Sequence, residues 1–274
     1  MLDILLWIVV FIVALFVLIK SSDYFTSSAE KIGIAFGIPS FVIGVTIVAL
    51  GTSLPELISS IFAVINNSSE IVIGNVVGSN IANIFLVLGV TAIVAKKMHV
   101  DRGLINIDLP ILFGSAGYLW IAAWDGIFSL GEGILGIFML IIYLISTVKE
   151  QKADIKTEKE VKKKRKKLEI KTIIILFVSA FFIFLGAKYT IASVIRLSEI
   201  WNIGKDVIAI SAVALGTSLP ELFVSITAAR KGNSEMAIGN VLGSNIFNTL
   251  AVMSIPAMMG DLVIPQSIIQ FSLP

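Results

Sequence analysis

The chain has 274 residues, of which 57% are apolar and 15% charged, and its mean hydropathy is +0.97. Soluble domains carry about a quarter charged residues, and 16 of the 40 charged side chains here lie between Lys149 and Lys171, so the rest of the chain is too apolar for a water-soluble globule. With no cysteine and one histidine, His99, the chain lacks disulfides, thiolate metal sites and cysteine nucleophiles, and we expect neither an enzyme, a resident cofactor nor a nucleic-acid partner.

Windows of about 20 apolar residues, long enough to cross ~30 Å of hydrocarbon as a helix, occur eight times. They begin near Leu2, Phe41, Ile71, Leu104, Ile127, Thr172, Val207 and Ala237, and a partial ninth begins near Leu262. The first window has Asp3 where a signal peptide has basic residues, and no cleavage site follows, so we predict a retained helix. The fold class is therefore an all-α polytopic membrane protein surrounded by the lipid bilayer.

A basic segment divides the chain into two parts. Residues 149–171 contain eleven basic and five acidic side chains, which is typical of a cytoplasmic linker, and this orientation places the N-terminus outside. We therefore predict a first transmembrane repeat at residues 1–148, the linker at 149–171, and a second repeat at 172–274 that lacks its last helices.

The two parts share an internal repeat. A shift of 165 residues aligns Val48–Asn83 with Val213–Asn248, and 24 of these 36 positions are identical. The copies lie on the second and third windows and on the seventh and eighth, five crossings apart. Because five is odd, the copies cross the membrane in opposite directions, which is the inverted-topology repeat of many secondary transporters with a site near the midplane.

One glutamate in each copy lies inside an apolar window. Glu56 and Glu221 have no basic residue near them in sequence, and an acidic side chain in a membrane helix costs at least ~2.5 kcal/mol. A proton, a bound cation or a basic residue of another helix must offset that cost. A protonated glutamate in a hydrogen-bonded core is the structural alternative.

A proline precedes each glutamate. Because Pro55 and Pro220 cannot donate a backbone hydrogen bond, we expect the helices to break there, although a simple kink is the alternative. The carbonyls freed around Ala49 and Ala214 would then be oxygen ligands for hard cations.

Hydroxyls and amides accompany the glutamates at helical spacing. Thr52 and Ser53 precede Glu56, and Thr217 and Ser218 precede Glu221. The companion windows carry the stripes Asn75, Ser79, Asn83 and Asn240, Ser244, Asn248. Oxygen ligands without sulfur or imidazole favour Ca²⁺, Na⁺, K⁺ or Mg²⁺. Two carboxylates balance one divalent ion, two monovalent ions or two protons, so different ions competing for this pair predict coupled exchange.

With GTSLPE at Gly51–Glu56 and Gly216–Glu221, followed by GNVVGSN and GNVLGSN, the sequence resembles the prokaryotic sodium/calcium exchangers of the cation/calcium antiporter superfamily. The resemblance implies two inverted five-helix repeats in an inner membrane, with Ca²⁺ held by the two glutamates and by the backbone carbonyls of Thr52 and Thr217. It also implies that the first and sixth helices slide across the core.

Sodium would use overlapping sites, according to the same resemblance. Its ligands would be the carbonyls of Ala49 and Ala214, the hydroxyls of Thr52, Ser53, Thr217 and Ser218, the side chains of Ser79 and Ser244, and at the centre Asn83 and Asn248. Two features depart from the family: Asn248 stands where relatives often have aspartate, and the chain ends within the ninth window instead of after ten helices.

The predicted function is therefore exchange of Ca²⁺ for Na⁺ by alternating access. The first alternative is Ca²⁺/H⁺ exchange, but the proton-coupled branch generally has an extra acidic residue where Asn75 and Asn240 are followed by apolar residues. The second alternative is a cation channel, and the sequence has no pore-loop signature.

Overall fold

The computed structural model describes residues 2–65, 67–95, 108–154, 168–200, 218–266 and 268. In chain order the helices are α1 (Leu2–Phe36), α2 (Ser40–Ile43), α3 (Ala49–Ile65), α4 (Glu70–Ala82), α5 (Gly89–Ala95), α6 (Leu109–Ala122), α7 (Leu130–Asp154), α8 (Ile170–Ile200), α9 (Leu219–Arg230), α10 (Ser234–Phe247) and α11 (Ser254–Ala257). Short π-helical stretches at Gly44–Val48, Asn83–Leu88 and Asn248–Val252 join α2 to α3, α4 to α5 and α10 to α11.

Six helical segments within the described ranges are long and apolar enough to cross a membrane. They are Ile4–Phe36, Ser40–Ile65, Glu70–Ala95, Leu130–Thr147, Ile170–Leu197 and Ser234–Ala257. These segments confirm six of the eight predicted windows. The fourth and seventh windows contain the shorter helices α6 and α9, and their predicted starts at Leu104 and Val207 lie outside the described residues.

The predicted start of a ninth helix at Leu262 is wrong. Leu262–Val263 form strand β2, which pairs antiparallel with β1 (Ile127–Phe128), and the Ile264 N–H donates to the Gly126 carbonyl at 2.9 Å. Short apolar runs do not distinguish helix from strand by periodicity, and here backbone pairing between two loops selects the strand. Ile127, the predicted start of the fifth apolar window, lies in strand β1, so helix α7 begins at Leu130.

Three loops meet at this end of the molecule. The β1–β2 pair joins the loop before α7 to the segment after α11, and the Val263 N–H donates to Ser69 Oγ in the loop between α3 and α4 at 3.1 Å. The loops therefore lie on one face, which requires an even number of crossings between them. The predicted topology has two crossings from the α3–α4 loop to the loop before α7, and four more from there to the segment after α11.

The proline in α3 does not break the helix, contrary to the prediction. Pro55 lies inside the continuous helix Ala49–Ile65; a proline removes one backbone donor, and the helix continues on both sides of it. Pro220 lies in the first turn of α9, where its missing N–H has no cost. The residues immediately before Ser218 lie outside the described ranges.

Helix α10 occupies the centre of the described core. All its residues from Met236 to Phe247 are buried, whereas α1, α7 and α8 expose many large apolar side chains, as lipid-facing helices do. Close approach depends on glycine: a Cβ at Gly239 would lie 2.4 Å from the Phe41 carbonyl oxygen, and one at Gly243 would lie 2.5 Å from that of Val45. This contact brings the first repeat against the polar face of α10.

Candidate ion-binding site

The site lies where helices of the two repeats meet. Helix α3 carries Thr52, Ser53 and Glu56, and Glu221 lies in the first turn of α9, directly after Ser218. Helices α4 and α10 and the π-helical stretches after them carry the companion polar residues. The predicted site side chains described here are at most 2% exposed, namely Thr52, Ser53, Glu56, Ser79, Asn83, Ser218, Glu221, Ser244 and Asn248. The predicted ligands Ala214 and Thr217 lie outside the described residues.

Hydrogen bonds join the repeats directly at the site. Ser53 Oγ donates to Glu221 Oε1 at 3.1 Å, and Thr52 Oγ1 donates to Asn240 Oδ1 at 3.2 Å. Thr52 Oγ1 also lies 3.5 Å from Ser244 Oγ and 3.4 Å from the Ala49 carbonyl oxygen. The structure therefore brings together predicted ligands that are more than 160 residues apart in the sequence.

The two carboxyl groups are buried and close enough to interact electrostatically. Among the described residues, neither Glu56 oxygen has a hydrogen-bond partner, and Glu221 Oε2 has none. A buried carboxylate without a partner is strongly unfavourable, and like charges at short range add to that cost. The site therefore requires positive charge, supplied by a cation or by protons.

Neutral oxygens from both repeats extend the same set. Ser218 Oγ, Asn83 Oδ1 and Asn248 Oδ1 are buried, and no described residue forms a hydrogen bond with them. With the three carboxylate oxygens, they make six buried oxygens of the site residues that have no hydrogen-bond partner among the described residues. Within the described ranges, no group of three or more His, Asp, Cys or Glu side chains is present. The donor set fits a hard cation that prefers few charges and several neutral oxygens.

A repeated pair of amides supports the helices that carry the glutamates. Asn75 Nδ2 donates to the Glu56 carbonyl at 3.4 Å and to Ser60 Oγ at 3.2 Å. Asn240 Nδ2 donates to the Glu221 carbonyl at 3.4 Å and to Ser225 Oγ at 2.9 Å. Both contacts recur with the 165-residue shift, so the repeat is preserved in the hydrogen bonds as well as in the sequence.

Four residues at the site were missed by the sequence reasoning. Ser60 and Ser225 lie one helical turn after the glutamates, and Asn80 and Asn245 end the two GSN tripeptides. The sequence does contain a signal for them, because each is a polar residue repeated at the same position of both copies. The two serines lie on the glutamate face of the helix, and the two asparagines lie three residues before Asn83 and Asn248. The i, i+4, i+8 pattern does not include Asn80 and Asn245, because each lies one residue after a member of the stripe.

Comparison with known proteins identifies the family. A family model described as sodium/calcium exchanger protein matches residues 6–149 and 171–274. The chain belongs to the sodium/calcium exchanger family. It is therefore an integral membrane antiporter of cations including calcium, and not an enzyme.

Relatives of this family cover most of the chain. The sodium/calcium exchanger MaX1 of Methanosarcina acetivorans is 34% identical over 303 residues, covering 97% of this chain and 86% of the relative. The inner membrane protein YrbG of Escherichia coli is 31% identical over 255 residues, covering 90% and 78%. Solved structures of the sodium-calcium exchanger NCX_Mj match with a TM-score of 0.81 and 31% identity, covering 98% of this chain and 88% of that one.

Proposed function

We propose that this protein exchanges Ca²⁺ for Na⁺ across the membrane, with the competing ions held between Glu56 and Glu221. The observation that carries the proposal is that six buried oxygens of the site residues have no hydrogen-bond partner among the described residues. Each repeat contributes three of these oxygens. Cations bound there would provide partners for these oxygens and neutralise the two carboxylates.

The charge of the site explains why the ions are exchanged. Two carboxylates contribute a charge of −2, and the neighbouring hydroxyls and amides are neutral, so one Ca²⁺ or two Na⁺ balance the site. An empty site would leave two charges buried at membrane depth, which is costly. Reorientation is therefore favourable only when the site is loaded, and this condition couples the movement of one ion to that of the other.

The proposed ligands are those of the predicted site. Ca²⁺ would contact the carboxylates of Glu56 and Glu221 and the carbonyls of Thr52 and Thr217. Na⁺ would use the overlapping oxygens of Ala49, Ala214, Ser53, Ser218, Ser79, Ser244, Asn83 and Asn248, with the hydroxyls of Thr52 and Thr217. The Thr52 hydroxyl contacts Ala49, Asn240 and Ser244, so it links oxygens of both repeats.

Sodium is favoured over protons by the neutrality of the surrounding groups. Asn75 and Asn240 use their amide N–H groups to bind the backbone of the glutamate helices and the serines beyond them. The proton-coupled branch of the antiporters generally has an extra acidic residue after these asparagines, and here the residues that follow them are apolar. Ca²⁺/H⁺ exchange is the second candidate, because two protons would also balance the two carboxylates.

Orientation and organisation complete the proposal. Residues 1–148 and 172–274 would be the inverted repeats, and the basic segment 149–171 would lie in the cytoplasm of a prokaryotic cell with the N-terminus outside. Reciprocal contacts between residues 165 positions apart, described below for Asn80 and Asn245, support a two-fold relation of the repeats. Alternating access would follow from movement of α1 with α8, which pack together at Leu18 and Gly186.

The test uses single substitutions in proteoliposomes. We expect Glu56→Gln and Glu221→Gln to abolish Na⁺-driven ⁴⁵Ca²⁺ uptake, because each substitution removes one of the two charges that hold the ion. The matched control is Glu132→Gln, which removes a carboxylate that accepts hydrogen bonds from Ser129 near a loop and should leave uptake unchanged. Full transport by either site variant would contradict the proposal.

A further inference from the structure

We propose that Asn80 and Asn245 are positioning residues that orient the amides of Asn83 and Asn248, so that both present oxygen to the bound cation. The inference rests on the proposed function, since it concerns the same ion site. It adds a role for two residues that do not themselves have a free oxygen at the site. The pair Asn80 and Asn245 is called the amide clasp below.

The amide clasp is reciprocal. Asn80 Nδ2 lies 3.4 Å from the Asn245 carbonyl oxygen, and Asn245 Nδ2 lies 3.5 Å from the Asn80 carbonyl oxygen. Asn80 Nδ2 also donates to Thr249 Oγ1 at 3.0 Å. The two residues are equivalent under the 165-residue shift, so the two contacts with backbone carbonyls are counterparts, as at a two-fold axis, whereas Thr249 corresponds to Ile84 and its contact has no counterpart.

The backbone carbonyls fix the direction of both clasp amides. A carbonyl only accepts hydrogen bonds, so the amide group facing it must be the NH₂ group and the side-chain oxygen must point the other way. The oxygen and nitrogen of an asparagine side chain are nearly identical in shape, and their assignment follows from such a network. Here the network starts from acceptors whose identity is certain.

The clasp side chains in turn orient the side-chain amides of the two central asparagines, Asn83 and Asn248. Asn83 Nδ2 donates to Asn245 Oδ1 at 3.0 Å, and Asn248 Nδ2 donates to Asn80 Oδ1 at 3.3 Å. Each central amide therefore directs its nitrogen to the clasp. Its oxygen is left without a hydrogen-bond partner among the described residues, and it is this oxygen that belongs to the six-oxygen set.

Orientation matters because a reversed amide would repel the ion. An amide oxygen carries partial negative charge and binds a hard cation, whereas the NH₂ group is a donor with partial positive charge. The clasp also favours an amide over a carboxylate at position 248. Asn80 Oδ1 accepts a hydrogen bond from the Asn248 amide, whereas a carboxylate at this position would place two acceptor oxygens against each other. The clasp therefore favours a central pair of neutral oxygen ligands and a total site charge of −2.

A double-mutant cycle separates orientation from general stability. The purified protein in detergent is tested for equilibrium ⁴⁵Ca²⁺ binding as Asn245→Ala, Asn83→Asp and the double variant, with elution volume and thermal unfolding as checks on folding. We expect Asn245→Ala to weaken Ca²⁺ binding by about tenfold. In the Asn83→Asp background we expect a loss of less than about twofold, because a carboxylate presents oxygen in either orientation.

The mirror cycle keeps the test decisive if one variant does not fold. Asn80→Ala should weaken Ca²⁺ binding in the same way, and Asn248→Asp should relieve the loss. Equal losses in both backgrounds, or Ca²⁺ binding unchanged by removal of the clasp amides, would overturn the inference while leaving the proposed function intact. Absence of Ca²⁺ binding by the unmodified protein would instead overturn both.

Discussion

At the residue scale, the hydrogen bonds of the site among the described residues are not symmetric although the sequence repeat is. Ser53 Oγ donates to Glu221 Oε1 at 3.1 Å. The equivalent hydroxyl of Ser218 and both oxygens of Glu56 have no hydrogen-bond partner within the described ranges. Glu221 is therefore partly satisfied by the protein, whereas under the proposed function Glu56 would depend more strongly on an ion. We infer that a bound cation is held more closely by the first repeat's carboxylate.

Substitution of Ser53 tests this difference. We expect Ser53→Ala to raise the Ca²⁺ concentration that gives half-maximal uptake by about tenfold or more, because the hydroxyl positions Glu221 and stabilises its ionised form, and a hydrogen bond to a charged group contributes about 1.5–3 kcal/mol. The control is Ser22→Ala, another fully buried serine, whose hydroxyl donates to the Leu18 carbonyl of its own helix at 2.8 Å. Equal Ca²⁺ dependence of the two variants in ⁴⁵Ca²⁺ uptake would contradict the role of Ser53.

At the element scale, the close approach of α10 to the first repeat determines where the ligands meet. Gly243 lies against Val45 and Ala49, one helical turn before Thr52. The GxxxG spacing of Gly239 and Gly243 indicates helix packing, and the structure has that contact. The packing thus brings the Thr52 hydroxyl within reach of Asn240 and Ser244.

A larger side chain at Gly243 should separate α10 from the helices of the first repeat. A Cβ at Gly243 would lie 2.5 Å from the Val45 carbonyl oxygen and 2.8 Å from Ala49 Cβ, and overpacking of this kind costs about 1–3 kcal/mol. We expect Gly243→Ala to lower the unfolding temperature by several degrees and to reduce Ca²⁺ uptake. Gly114→Ala is the control, because Gly114 is exposed on α6 and has no described atom within 4 Å of an added Cβ. An unchanged unfolding temperature for Gly243→Ala would count against the packing argument.

At the scale of the whole molecule, much of the architecture and part of the site could be predicted from the sequence. Apolar length reveals membrane helices because the bilayer has a fixed thickness, and the repeated GTSLPE singles out Glu56 and Glu221 as candidate ligands without any structure. The clasp residues Asn80 and Asn245 could not be assigned a role, because their partners lie 165 residues away and depend on which helices meet. The β1–β2 pairing was missed for the same reason: Val263 pairs with Ile127 only in three dimensions.

The measurement that tests the central claim most directly is ⁴⁵Ca²⁺ uptake by proteoliposomes under two imposed gradients, with the voltage clamped. We expect an outward Na⁺ gradient to drive uptake and a pH gradient without Na⁺ to drive none, since no third acidic side chain accompanies the two carboxylates among the described residues. Uptake driven by the pH gradient and indifferent to Na⁺ would contradict the account and identify the protein as a Ca²⁺/H⁺ antiporter.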